Sequence, residues 1–194
     1  LKPAKNYLKE FFAIADDARC YQENDILTGL RYLNALARRR GMPLVICMAL
    51  GTSFGGHNGD SLLAGILDSY ALLRNRCVVT GTGNEAAQRH HYYGTFTDTQ
   101  DIQTAEIRVG EGANRFVTEL WSTLPNIVTV SVTSPSGERT GQIPVRLGYL
   151  FDFGFAFERT SVTVEYRLLQ ENNDAQLVFI RFQNAVPGIW RIEV

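Results

Sequence analysis

The sequence predicts an α/β fold with a parallel sheet over residues 1–98, followed by an antiparallel β-sandwich or jelly roll over residues 99–194. Three observations carry that prediction. In the first half, apolar residues recur with helical spacing on either side of two continuous apolar runs of strand length. In the second half they alternate with period two, and no helical segment intervenes. Between the halves lies a polar stretch, TFTDTQDIQT, at positions 95–104. With 194 residues and 45% hydrophobic content, the chain can bury one large core or two small ones.

The elements follow in order. PAKNYLKEFFAI has helical spacing with Pro3 near its start, where a missing N–H costs nothing. ENDILTGLRYLNALARRRG puts Ile26, Leu30, Leu33 and Leu36 on one helical face. Arg38, Arg39 and Arg40 fill its last turn, where cations favour the negative end of the helix dipole, and Gly41 is placed to cap it. A solvated helix end explains this arginine run more simply than an anion site. PLVICMAL then reads as a strand buried on both faces. DSLLAGILDSYALLRNR returns to helical spacing with Asp60 or Ser61 as N-cap, and CVVTGTG is a second short buried strand. Helix–strand–helix–strand order implies a right-handed crossover between parallel strands. The segments AEIRVG, NIVTVSVTSPSGERTG, SVTVEYRLL, AQLVFIRFQ and IWRIEV read as strands. Ser136-Gly137, Asn172-Asn173-Asp174 and Pro187-Gly188 mark turns between them. Trp121 and Trp190 suit a sandwich core better than a sugar-stacking platform.

Charge and composition narrow the function classes. Nineteen basic and twenty acidic residues leave a formal net charge of −1, which favours neither nucleic acid nor an anionic membrane as partner. No apolar run approaches the roughly 20 residues of a membrane-spanning helix, and LKPAKNYLKE lacks the apolar core of a signal peptide. The absence of an initial Met fits a segment excised from a longer chain. Cys20, Cys47 and Cys77 are too few for a disulfide framework. Cys47 and Cys77, inside apolar runs, are expected as buried thiols.

Candidate chemistry gathers where the two buried runs end. LGTSFGGHNGDS follows the first and GTGNEAAQRHHYYG the second. In an open parallel sheet, ligands bind beyond the carboxyl ends of the strands. Asn84 would stand at that mouth, where a side-chain amide can donate to a developing oxyanion, or can simply stabilise its own turn. Gly51-Thr52-Ser53 with His57 four residues on raises the question of a serine nucleophile. His57, His90 and His91 raise that of a metal, but adjacent histidines rarely both ligate and no matching carboxylate spacing accompanies them.

Val45-Ile46-Cys47-Met48-Ala49-Leu50-Gly51, a helix, and then Val78-Val79-Thr80-Gly81-Thr82-Gly83-Asn84-Glu85 resemble a signature region of the subtilisin-like serine proteases, the S8 peptidase family. HNGDSLLAGILDSY and AAQRHHYYG resemble its clostridial, Csp-like branch, in which a jelly-roll domain is inserted between the oxyanion Asn and the nucleophile. The resemblance implies that residues 1–98 are part of a subtilisin-like parallel α/β domain and that residues 99–194 are the inserted jelly roll, incomplete at its C-terminal end. It implies that Ala49, Leu50 and Gly51 pair with substrate backbone, that Thr82 and Gly83 wall the pocket for the residue before the scissile bond, and that Asn84 is the oxyanion donor. Ser53 precedes Asn84 and so falls in the wrong order for the nucleophile. Asp60, His57, His90 and His91 match no triad motif, so the 194-residue chain alone is expected to be inactive.

The implied function is the central portion of a serine endopeptidase. Its partners would be a peptide or protein substrate and the remainder of the parent protease. No cofactor is implied. Calcium is common in the family, but no acidic cluster here demands it. The alternative is a pseudoprotease region, or a partner-binding module carried by a β-sandwich.

Overall fold

The computed structural model describes residues 2–169 and 174–194, which leaves the expected turn at Asn172-Asn173 outside the described residues. The chain divides into two compact units, Leu1–His90 and His91–Val194.

The first unit holds α1 (Asn6–Phe11), α2 (Glu23–Arg40), β1 (Leu44–Met48), α3 (Leu62–Ala71) and β2 (Arg76–Thr80). Helix α2 ends on Gly41 at φ 64°, a left-handed residue whose N–H reaches back to the carbonyls of the last turn. Ser61 caps α3, its hydroxyl accepting from the Ala64 N–H at 3.2 Å. β1 pairs with β2 in parallel, Leu44 opposite Arg76 through Met48 opposite Thr80. α3 packs on β2, and α2 packs on β1 and on α3. The Arg76 guanidinium fastens β2 to α2 by donating to Asn34 Oδ1 at 2.8 Å. Leu30, Ala37 and Ile46 are buried, whereas Leu33, expected on the inner face of α2, is exposed.

The second unit holds β3 (Thr104–Val109), β4 (Arg115–Thr123), β5 (Ser131–Thr133), β6 (Leu150–Phe155), β7 (Thr160–Leu169), β8 (Ala175–Gln183) and β9 (Gly188–Glu193). They form one sheet of order β3-β9-β5 and another of order β4-β8-β7-β6, with every named pair antiparallel. Both sheets contribute to one core: Val109, Val132, Trp190 and Ile192 from the first, and Phe155, Val162, Val164, Tyr166, Val178, Ile180 and Phe182 from the second. Trp190 is fully buried between the edges of Phe155 and Phe182, at ring-centroid distances of 5.0 and 5.4 Å. The Tyr166 hydroxyl bridges two backbones, donating to the Ile143 carbonyl at 2.9 Å and accepting from the Val130 N–H at 3.1 Å. Gly188 opens β9 at φ 140°, and a Cβ there would lie 2.8 Å from the Pro135 ring, so only glycine fits. Trp121, by contrast, is half-buried and donates its indole N–H to Glu119 at 3.0 Å.

These observations correct the fold class read from the sequence. The chain is not a parallel α/β domain with an appended sandwich. Among the described residues it is a β-rich fold of mostly antiparallel sheets with three helices, and among the named strands only β1 and β2 pair in parallel. The buried-strand reading fails for the same reason. A continuous apolar run buries both faces only when helices cover both, and here α2 and α3 cover one. β1 therefore alternates, with Ile46 buried and Val45 68% exposed. Cys47 and Cys77, expected as buried thiols, are exposed.

Candidate functional site

Parallel pairing of β1 and β2 brings their carboxyl ends side by side. The ladder closes with the Gly81 N–H donating to the Met48 carbonyl at 3.4 Å. Beyond that bond the two glycine-bearing loops run close together: a Cβ added to Gly51 would meet the Gly83 Cα at 3.9 Å. Gly83 itself has φ 84°, a left-handed conformation that a side chain would strain. Ala49, Leu50 and Gly51 follow β1 beyond its ladder, and all three are exposed. Thr82, Gly83 and Asn84 follow β2 and are exposed as well. No side-chain hydrogen bond engages the Asn84 amide among the described residues. All six sequence-predicted site residues thus occupy the two strand-end loops of one unit.

The next residue, Glu85, has side-chain partners in both loops. One oxygen of the Glu85 carboxylate, Oε2, accepts from the Ser53 hydroxyl at 3.0 Å and faces His90 Nδ1 at 3.2 Å. Both bonds favour the ionised carboxylate, so they hold Glu85 below the usual glutamate range, the His90 bond first and the Ser53 bond second. On the other loop, His57 Nε2 stands 3.3 Å from the Ser53 carbonyl oxygen, and the Thr52 hydroxyl accepts from the Phe54 N–H at 3.1 Å. Phe54 in turn meets the Phe12 ring, centroid to centroid 5.2 Å, which anchors this loop beside α1. The role of Glu85 was not legible in the sequence, because Ser53 and Glu85 are 32 positions apart and only strand pairing unites them.

Among the described residues, no group of three or more His, Cys, Asp or Glu side chains could hold a metal ion. No helix among them is long and apolar enough to cross a membrane.

No family model matches the chain, and no curated protein matches it. Among solved structures, the chain is similar to the Clostridium perfringens CspB protease, with a TM-score of 0.79 at 23% sequence identity. The likeness covers 92% of this chain and 38% of that protein. This chain therefore shares its fold with a part, well under half, of a clostridial protease.

Proposed function

We propose that this chain is the central segment of a subtilisin-like serine endopeptidase, in which two adjoining strand-end loops hold substrate and stabilise the oxyanion. The single observation that carries the reading is the placement of Gly83-Asn84-Glu85 beside Gly51 at the paired ends of β1 and β2. Likeness in fold to a clostridial protease supports it. In this reading Ala49, Leu50 and Gly51 receive substrate backbone as an added strand, for which an exposed segment beyond the ladder is suited. Thr82 and Gly83 border the side-chain pocket. The Asn84 amide donates to the tetrahedral intermediate, and an exposed amide with no internal acceptor is free to do so. An asparagine serving only its own turn would instead spend that amide on nearby backbone.

The remainder of the parent protease supplies the nucleophile and its base. It also covers the bare face of β1–β2, where Val45, Cys47, Cys77 and Val79 stand exposed on adjacent strands. The β-rich unit is the domain inserted before the nucleophile in the Csp-like branch.

Asn84→Ala in the full-length protein that contains this segment tests the reading. The amide bonds the charged intermediate more strongly than the ground-state carbonyl, so its loss falls on kcat rather than KM. A drop of about 10²–10³ in kcat, roughly 3–4 kcal/mol, is the expected size for one such donor. A folded variant with wild-type kcat removes Asn84 from the mechanism. A full-length wild-type protein with no turnover on peptides points to a pseudoprotease.

A further inference from the structure

We propose that Glu85 is a positioning residue, whose carboxylate ties the loop after β1 to the loop after β2 and so sets the spacing between Gly51 and Asn84. The proposal rests on the endopeptidase reading for its consequence, but the tie itself stands on geometry. The β1–β2 ladder ends at the Gly81–Met48 bond, and the residues beyond it on both strands are exposed and rich in glycine. Glycine-rich loops with no ladder to hold them sample many conformations. Substrate backbone on one loop and an oxyanion donor on the other must nevertheless keep a fixed separation, since misplacement of about 1 Å at a reacting centre can cost two orders of magnitude in rate.

Glu85 supplies the missing constraint. Its Oε2 accepts the Ser53 hydroxyl, two residues past Gly51, and lies within hydrogen-bond distance of His90 Nδ1, five residues on in its own loop. One oxygen thus joins both loops and also closes its own loop on itself. Glu85 is adjacent to Asn84 in the chain, so fixing its carboxylate constrains the peptide that carries the amide. The Ser53 backbone is held in turn, its carbonyl facing the His57 ring at 3.3 Å. A charge-assisted pair of bonds is stronger than neutral ones, although an exposed carboxylate keeps only part of that advantage. This also gives Ser53 a role that does not require it to be a nucleophile.

Two readouts separate the tie from its consequence. In the 194-residue chain, carbon-detected NMR titration of Glu85 should place its carboxyl below the ordinary glutamate range, and Ser53→Ala and His90→Ala should each move it up. Amide resonances of residues 51–54 and 82–86 should shift together in Glu85→Ala and return toward wild type in Glu85→Gln, whose amide oxygen can still accept. Loops that respond independently, or an unshifted Glu85, overturn the tie.

In the full-length protein, Glu85→Ala should lower kcat/KM by about 10-fold, divided between kcat and KM because both loops move. Glu85→Gln should recover most of it. Unchanged kcat and KM per folded molecule in Glu85→Ala overturn the positioning role. A wild-type protein with no peptidase activity overturns the endopeptidase reading and the positioning role with it, while the titration still decides the tie.

Discussion

In the unit His91–Val194, fully buried side chains include Trp190, Tyr166, Phe155, Phe182, Ile180 and a run of valines, drawn from two sheets that close on each other. In the unit Leu1–His90, the buried hydrophobic residues among those described are Leu30, Ala37 and Ile46. The contrast does not come from a lack of apolar sequence, since PLVICMAL is as apolar as any strand of the second unit. It comes from how many layers each sheet has. A sheet face contributes to stability in proportion to the apolar area it removes from water, about 25 cal/mol per Å². β1–β2 has helices on one face and solvent on the other, with Val45 68% and Val79 49% exposed. The candidate site lies in the unit that is less complete as a folding unit, at the ends of its two strands.

Excision is the strongest way to break this comparison. Residues 91–194 expressed alone should unfold cooperatively in urea, because their core lies within the unit. Residues 2–90 alone should show no cooperative transition. A sharp, independent transition from residues 2–90 would mean that one covered face is enough.

Within the second unit, Trp190→Ala should cost about 3–5 kcal/mol by chemical denaturation, as truncation of a fully buried aromatic leaves a cavity. A loss below 1 kcal/mol would mean that the two sheets do not share the core around that ring.

Tyr166→Phe is subtler. It removes a hydroxyl that satisfies both Val130 N–H and Ile143 carbonyl, so it should cost about 1–3 kcal/mol with little change in volume. Burial also pushes the Tyr166 phenol above its ordinary value. A raised folded value means that the folded state holds the proton more tightly than the unfolded state. That stabilisation is complete below the unfolded value near 10 and is lost as pH rises through the folded one. Denaturation midpoints measured from pH 8 to 11.5 should fall more steeply in the wild type than in Tyr166→Phe.

The smallest effect belongs to the bare face. Val45→Thr should change the stability of the isolated chain by less than about 0.5 kcal/mol, as an isosteric change at an exposed position. In the full-length protein the same substitution should be clearly destabilising, because the proposed remainder of the parent would bury that methyl. Equal costs in both contexts would show that nothing covers the face.

Local sequence determined a good part of the molecule. Gly41 ends α2 because a left-handed residue is needed there, and Ser61 starts α3 because its hydroxyl reaches the Ala64 N–H. Pro187-Gly188 marks the start of β9, where no side chain fits against Pro135. Gly51, Gly83 and Asn84 lie just past two apolar runs, and they occupy the loops after β1 and β2. Trp190 was legible as core, being an aromatic in an alternating strand. β6 carries an equally local signal, Phe151, Phe153 and Phe155 in strict alternation.

Tertiary structure alone decided the rest. Whether Cys47 and Cys77 are buried depends on how many layers flank their sheet, and an apolar run does not encode its number of neighbours. Leu33 obeys the helical period of α2 yet is exposed, because the covered stripe is narrower than the apolar one. The balance of antiparallel over parallel pairing follows from which strands meet, and that is a property of the whole chain. The Ser53–Glu85 bond exists because β1 and β2 pair in register, which places two loops together that lie 32 residues apart. Spacing along a chain reports the faces of single elements, whereas contacts between elements are selected by the packing of all of them at once.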